Sequence, residues 1–240
     1  LPDEHASISG LAVEGDRIYA TDFNSGDLLF ADYETGKLVQ SYGWLPDNKT
    51  RMKALGVSYY KDNLYVSDVA AGKIRVIGAL EYKDARDEGE LVLDFPSGKA
   101  SEFALGYPTW SMVTPDGRLL VSDAKSGQIK VFSCNGRSAY LFENEGLATL
   151  HTPMGIAMDS TPSPAALQAK NAKVFDPSGI NDQGRIHVVD AEMGIVKVFD
   201  PLGKYVLTYG HELRQPNGIA IDQKKRLIFI SDTKLHAIAV

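Results

Sequence analysis

The sequence predicts an all-β protein, a β-propeller of four-stranded antiparallel blades with five or six blades. Three observations carry this prediction. A sequence motif that predicts a strand, a tight corner and a second strand recurs five times. Each copy follows another apolar segment. Most copies precede a fourth apolar segment, which comes after a glycine turn. One such sheet buries too little apolar surface to be stable alone. Repeating it around an axis packs the face of one sheet against the next.

An aspartate marks the corner of every copy. The five are Asp22, Asp68, Asp123, Asp190 and Asp232. They are spaced 46, 55, 67 and 42 residues apart, a period typical of repeat architectures. Apolar residues stand two and four positions before each aspartate and six and eight positions after it, as Leu119 and Val121 precede Asp123 and Ile129 and Val131 follow it. Alternation on both sides of a corner predicts an antiparallel hairpin.

The corner has a structural explanation in its residue types. Four copies place a glycine four residues after the aspartate: Gly26, Gly72, Gly127 and Gly194. A tight hairpin requires positive φ at this position, which glycine adopts readily, and the fifth copy has His236 there. The aspartate carboxylate can accept N–H groups of the turn that follows. We therefore predict a structural role in the turn for all nine residues.

The remaining strands complete the repeat. The first strand of each unit opens on Gly10, Gly56, Trp110, Gly155 and Gly218. Fourth strands follow glycine turns, as in "ETGKLVQSYG" and "PLGKYVLTYG". We place the blades of a single domain, 1–240, at about 6–43, 51–106, 107–150, 151–210 and 211–240. The last has only three strands, so either Leu1 to Ser7 completes it or the natural chain continues beyond Val240.

Two insertions depart from the repeat. Residues 77–90 widen the connection between strands three and four of the second unit, and residues 160–184 separate strands one and two of the fourth. In a meander both connections open on the face opposite the aspartate corners. Insertions in repeats often build binding surfaces, but surface loops also tolerate insertion cheaply. Both a partner surface and a solvated variable loop are compatible with this pattern.

Composition limits the function classes. The net charge of -6 leaves no excess of basic residues to neutralise phosphates, which disfavours nucleic acid as a partner. No apolar stretch is long enough for a membrane span. Cys134 is the only cysteine, which excludes an internal disulfide and covalently attached haem. The first residue is Leu1, as in a processed chain or a fragment, and we expect export to the periplasm or the extracellular space.

The repeat motifs resemble those of NHL-repeat β-propeller proteins. The matching segments are "HTPMGIAMD", followed by "GRIHVVDAEMGIVKVFDPLGKYVLTYG", and "RQPNGIAIDQKKRLIFISD". The NHL consensus has P-x-G-I-A-V-D, then a strand ending in Asp, then a strand ending in F-D-x-x-G. The resemblance covers almost the whole chain and implies the propeller fold. NHL propellers often have six blades, whereas this sequence shows five repeats.

The axial mouth of a propeller is a common ligand site, and its candidates here are the residues at the inner-strand openings. They are Thr109, Trp110, Met154 and Asn217. These side chains are neutral and form no convergent set of acids or histidines. No cofactor is predicted from them.

Two groups of enzymes have similar propellers, and their metal ligands can be compared with the residues of this sequence. Peptidyl-hydroxyglycine amidating lyases bind zinc through histidines beside the repeated proline, where this chain has Thr109, Met154 and Asn217. Gluconolactonase-like propellers supply a metal-binding Asn that corresponds to Asn217, but their Glu and Asp ligands have no clear counterpart. An incomplete oxygen-donor set cannot hold a divalent ion well. We therefore predict no metal site, with Asn217 as a ligand only under this alternative.

The sequence favours a non-enzymatic scaffold that binds another protein, as an exported accessory subunit of a larger assembly. The alternative is a metal-dependent lactonase or esterase of the gluconolactonase-like type. A third hypothesis is RNA binding through Lys224, Lys225 and Arg226, the only compact basic run. A solvated turn explains that run better, given the acidic total.

Overall fold

The structure is a computed structural model that describes residues 7–43, 51–78, 91–95, 103–133, 138–160 and 184–240. In these residues the strands form five antiparallel sheets, each a meander that follows chain order. Four of the sheets have four strands, and the fifth has three. The greater part of both predicted insertions (79–90 and 161–183), Cys134, and residues 1–6 of the proposed completing strand lie outside the described residues.

The chain divides into two compact units, residues 1–126 with 130–140 and residues 127–129 with 141–240. The first sheet consists of β1 (Ile8–Glu14), β2 (Arg17–Asp22), β3 (Leu28–Asp32) and β4 (Leu38–Tyr42). The second consists of β5 (Ala54–Tyr60), β6 (Asn63–Asp68), β7 (Lys73–Gly78) and β8 (Leu91–Phe95). The third consists of β9 (Pro108–Val113), β10 (Leu119–Asp123), β11 (Gln128–Phe132) and β12 (Ser138–Leu141). The first unit thus contains two sheets and most of the third.

The second unit contains the fourth and fifth sheets. The fourth consists of β13 (Pro153–Asp159), β14 (Arg185–Asp190), β15 (Ile195–Phe199) and β16 (Tyr205–Tyr209). The fifth consists of β17 (Pro216–Asp222), β18 (Leu227–Asp232) and β19 (Ala237–Ala239). A short 3₁₀ helix, Gly146–Ala148, precedes the fourth sheet. Among the described residues, no helix has the length and apolar character needed to cross a lipid bilayer.

In every sheet the first strand, which we call the inner strand, pairs with the second in a register that is irregular next to the corner aspartate. In the second sheet Ala54 lies opposite Asp68, while the next regular pair is Val57 with Val66. The same shift occurs in the first, third, fourth and fifth sheets. Such an irregularity turns the backbone of one strand locally. It directs the residues that precede the inner strand toward the aspartate.

Apolar faces of neighbouring sheets pack together within each unit. Tyr19, Leu28 and Phe30 of the first sheet join Leu64 and Val66 of the second in one buried cluster. Each of these side chains is at most 8% exposed, and full burial of a side chain of this size stabilises a fold by about 1.5–3 kcal/mol.

The second unit has a comparable cluster between its two sheets. Val189 and Val196 of the fourth sheet pack with Ile219 and Ile230 of the fifth. Val196 and Ile230 are positions at which the sequence pattern predicted alternating apolar residues.

Inner strands of neighbouring sheets approach each other closely, which explains the glycines at their openings. A Cβ at Gly56 would lie 2.5 Å from the carbonyl oxygen of Thr109. A Cβ at Gly155 would lie 2.8 Å from the carbonyl oxygen of Asn217. Both glycines are needed because of the close backbone approach, since neither has positive φ.

Candidate functional site

The corner aspartate of the third sheet accepts hydrogen bonds from several buried groups. Asp123 is fully buried. Its carboxylate accepts hydrogen bonds from the backbone amides of Gly106 at 3.1 Å and Tyr107 at 2.7 Å. It also accepts hydrogen bonds from the hydroxyl of Ser126 at 2.8 Å and the ammonium of Lys130 at 2.7 Å. Burial alone would raise the pKa of Asp123, but these hydrogen bonds, with that of Lys130 the strongest, hold it below its ordinary value.

The corners of the first unit's other sheets are built in the same way. Asp22 accepts the amide of Ser7 at 2.9 Å and the amide of Asn24 at 3.0 Å. Asp68 accepts the amide of Lys53 at 3.2 Å and the guanidinium of Arg75 through Nε at 3.1 Å. Each carboxylate therefore connects its corner to the segment that enters the same sheet.

The second unit repeats this arrangement. Asp190 accepts the amides of His151 at 2.9 Å and Thr152 at 3.1 Å, which lie just before β13. Asp232 accepts the amides of Arg214 at 2.7 Å and Gln215 at 3.2 Å, which lie just before β17. The sequence pattern predicted bonds only to the turn that follows each aspartate. Because the donors before the inner strand are 15 to 39 residues away in sequence, local spacing could not reveal them.

Sequence reasoning also missed a buried cation seven residues after three of the aspartates. Arg75, Lys130 and Lys197 are at most 6% exposed. The ammonium of Lys197 donates to the carbonyl oxygens of Leu147 at 2.7 Å and Thr149 at 2.6 Å. A basic residue between two apolar neighbours in a predicted strand was the available signal, since a buried charge requires partners.

The corner glycines have the backbone geometry that a tight hairpin requires. Their φ values lie between 63° and 81°, and His236 has φ of 50°. A Cβ at Gly26, Gly72, Gly127 or Gly194 would lie 2.4 to 2.6 Å from a carbonyl oxygen of the segment that enters the next sheet. The glycine thus allows both the turn and a close backbone contact.

The four residues predicted for an axial mouth are divided between the two units. In the first unit, Thr109 is buried and its hydroxyl donates to the carbonyl of Ser122 at 3.3 Å, while Trp110 is half-buried. In the second unit, Met154 packs against the apolar cluster between sheets four and five, and Asn217 is half-buried.

Three further features bear on the predicted chemistry. No group of three or more His, Cys, Asp or Glu side chains among the described residues could hold a metal ion. His187 is 7% exposed, and its Nδ1 lies 2.8 Å from the hydroxyl oxygen of Tyr209. Burial lowers the pKa of His187 and raises that of Tyr209. The backbone amides of Lys224 and Lys225 donate hydrogen bonds to Asp222 Oδ1, so the basic run lies in the β17–β18 turn.

A groove in the first unit carries the candidate binding site. It lies between the turn that joins β1 to β2 and the turn that joins β5 to β6, with a cavity volume of about 470 Å³. Its lining consists of Glu14, Gly15, Asp16, Arg17, Tyr19, Tyr59 and Asp62. These turns lie at the opposite end of their sheets from Asp22 and Asp68. This is the face on which the sequence allowed a partner surface. Composition gave no sign of the groove, because its residues come from turns 46 positions apart.

The groove combines aromatic rings with carboxylates. The rings of Tyr19 and Tyr59 are nearly parallel, at 10°, with centroids 6.0 Å apart. The hydroxyl of Tyr59 donates to Asp62 Oδ1 at 2.9 Å. Burial, the hydrogen bond to Asp62 and the charges of Asp62 and Glu14 raise the pKa of Tyr59. Tyr59 therefore stays protonated at neutral pH, in a negative electrostatic potential.

Comparison with known proteins identifies the fold. No protein-family model matches the chain, and no curated protein sequence matches it. Similar solved structures include one titled "Streptogramin B lyase structure", with a TM-score of 0.63 and 11% sequence identity over 100% of this chain and 70% of that chain. At this identity the likeness shows the fold alone. It confirms the predicted fold class: the chain is all-β, and its five sheets are the blades of a β-propeller.

Proposed function

We propose that this chain is a non-enzymatic β-propeller scaffold of the NHL-repeat type that binds another protein. The supporting observation is the groove between the β1–β2 and β5–β6 turns of the first unit. Its volume of about 470 Å³ is enough to receive a side chain of a partner. It is formed by turns on paired strands, so a partner segment would meet a rigid surface with little loss of conformational entropy.

The charge and polarity of the groove suit a protein segment. Tyr59 provides apolar area with a polar end, and tyrosines are enriched where proteins bind other proteins. Exposed carboxylates at the rim set the orientation and the choice of partner through charge complementarity. The NHL assignment itself rests on the repeat motifs "PMGIAMD" and "PNGIAID" with the strands that follow them. We further propose that the protein is an exported accessory subunit of a larger assembly.

In-cell crosslinking with an amine-reactive reagent, in the organism that produces the chain, tests the scaffold proposal. Lys37 lies in the β3–β4 turn and Lys61 in the β5–β6 turn, whereas Lys125 lies in the corner of the third sheet; all three are exposed. We expect a recurring partner whose crosslinks start from Lys37 or Lys61. Crosslinks from Lys125 alone would place the partner on the other face, and a chain that stays monomeric would contradict the scaffold.

Cell fractionation of the same culture tests export. We expect the chain in the periplasmic or secreted fraction. Recovery with cytoplasmic marker proteins would contradict that part of the proposal.

An enzyme is the second candidate, because a structure with the same fold carries the name of a lyase. The specific form is a metal-dependent lactonase or esterase in which Asn217 is one metal ligand. Elemental analysis of the purified chain and a lactone-hydrolysis screen test it, with Asn217→Ala as the comparison. Turnover that Asn217→Ala abolishes would support the enzyme, and absence of both metal and turnover would reject it.

A further inference from the structure

The carboxylates of the groove are incompletely neutralised. The side chain of Glu14 is exposed, and its carboxylate forms no hydrogen bond or ion pair among the described residues. Asp62 Oδ1 accepts the hydroxyl of Tyr59, and Asp16 Oδ1 lies 3.8 Å from Arg17 Nε. Three carboxylates and one guanidinium leave the groove with a net negative charge. The occupant that this charge favours is a cation.

The aromatic floor favours the same occupant. Tyr59 is half-buried and presents a ring to the groove, and a cation over the face of such a ring is attracted by its quadrupole. The β5–β6 turn, which supplies Asp62 to the groove, already contains such a contact, because Lys61 Nζ lies 5.0 Å from the ring centroid of Tyr60. A cationic side chain also has an apolar stem that can lie along the ring of Tyr59.

From these contacts we propose that the groove receives a lysine or arginine side chain of the partner protein, held by Glu14 and Asp62 beside the ring of Tyr59. This inference rests on the proposed scaffold function and names the chemistry of its partner. An anionic segment would be repelled by the three carboxylates. A purely apolar segment would remove them from water without a compensating partner.

A metal ion fits the groove less well than an organic cation. Glu14, Asp16 and Asp62 line the same cavity, but they form no ligand group of the kind that could hold a metal, and none exists elsewhere among the described residues. Divalent ions need several oxygen ligands that converge within about 2.0–2.6 Å. An ammonium or guanidinium group instead requires only hydrogen-bond distance to one or two carboxylates.

Titration of the full chain with short peptides, followed by amide NMR, tests the proposal. The probes are blocked tripeptides with a central lysine or arginine between glycines, and the control has a central glutamine. We expect the cationic probes to shift the amides of the two groove turns and to bind at least about fivefold more tightly than the glutamine probe. Equal binding of the three peptides, or shifts elsewhere in the chain, would overturn the proposal.

Matched variants assign the binding to the named carboxylates. Glu14→Gln is nearly isosteric and removes an exposed, unpaired charge, so it should fold normally and weaken the cationic probes about fivefold. Glu34→Gln is the control, because Glu34 is an exposed acid in the β3–β4 turn outside the groove lining. Asp62→Asn keeps an acceptor for Tyr59 and should act like Glu14→Gln. An equal effect of Glu34→Gln would overturn the assignment.

The same variants separate this inference from the scaffold proposal. If Glu14→Gln and Asp62→Asn crosslink to the partner with the same yield as the parent protein, the scaffold proposal stands and the cation site is wrong. If no partner is found but the cationic peptides bind the groove, the scaffold is wrong and the site stands.

Discussion

Asp123 and Lys130 form the buried charge pair of the third sheet. Their charged atoms are 2.7 Å apart, and Lys130 also donates to the carbonyl oxygen of Ala104 at 2.6 Å. Such a pair adds little net stability relative to an apolar pair of the same size. Removing one member is costly, because the other charge remains buried without compensation. The pair thus orients the segment before β9 and makes the corner intolerant of single substitutions.

The Lys130→Met variant tests this dependence. We expect it to lower the free energy of unfolding by about 3–5 kcal/mol, because Asp123 loses its cation while it stays buried. Urea denaturation followed by circular dichroism measures the change. Lys125→Met is the control, since Lys125 is exposed in the same corner. A loss below 1 kcal/mol for Lys130→Met would contradict this account.

His187 is a buried histidine of the fourth sheet. Burial lowers its pKa from 6.5, opposed by the charge of Asp159. When the pKa of a base is lower in the folded state, the unfolded state binds the proton at a higher pH than the folded state does. The unfolded state therefore gains stability as the pH falls below about 6.5, and the fold loses the same amount.

Substitution of His187 tests this pH dependence. We expect the urea midpoint of the parent protein to fall between about pH 7 and pH 5, the range in which histidine titrates. His187→Gln keeps a polar partner for Tyr209 and should flatten the profile. His211→Gln removes an exposed histidine and should leave it unchanged. Identical slopes in all three proteins would show that His187 does not cause the fall.

At the scale of the element, the corner hairpin joins two sheets. Its glycine adopts positive φ, and its backbone also contacts the segment that enters the next sheet. The positive φ could be predicted from the Asp-x-x-x-Gly spacing. The contact could not, because its partner belongs to another repeat.

Two glycine substitutions separate these contributions. Gly36 and Gly72 have nearly equal φ, 64° and 63°, but a Cβ has open space at Gly36 and lies 2.4 Å from the carbonyl oxygen of Leu105 at Gly72. We expect Gly36→Ala to destabilise the fold by about 1–2 kcal/mol through backbone strain alone. Gly72→Ala should cost roughly 3 kcal/mol or more, because the backbone must also move. Equal costs in urea denaturation would remove the contact from the explanation.

At the scale of the whole molecule, low pH should destabilise the fold by protonating the corner carboxylates. Hydrogen bonds outweigh burial and lower the pKa of Asp22, Asp123 and Asp232 from 3.8. An acid with a lowered folded pKa stabilises the fold above its unfolded pKa, and this stability is lost as the pH falls through the folded value.

We therefore expect a further loss of stability below about pH 4, separate from the histidine range. The urea midpoint measured from pH 5 down to pH 2 checks this. A midpoint at pH 2 equal to that at pH 5 would show that these carboxylates do not stabilise the fold. His187→Gln should leave this acid range unchanged.

The extent to which the fold and site could be predicted follows from the range of each interaction. The alternation around Asp123 and the spacing to Gly127 are local, so they predicted the strands, the corners and the propeller fold. The cation partner of Asp123 is only seven residues away, at Lys130, yet propensity alone does not place a lysine in a core. The groove joins Glu14 to Asp62 across two repeats, and no local pattern links them.

The order of strands within each sheet and the conformation of each corner followed from the amino-acid sequence by itself, because period-two burial and turn geometry depend on neighbouring residues. The tertiary structure alone decided which amides each corner carboxylate accepts, which backbone each glycine contacts and where the tyrosines meet the acids. The carboxylate contacts join segments 15 to 39 residues apart within one repeat, and the glycine contacts and the groove join separate repeats. Such distances are set only when the strands of each sheet pair and the apolar faces of adjacent sheets pack together.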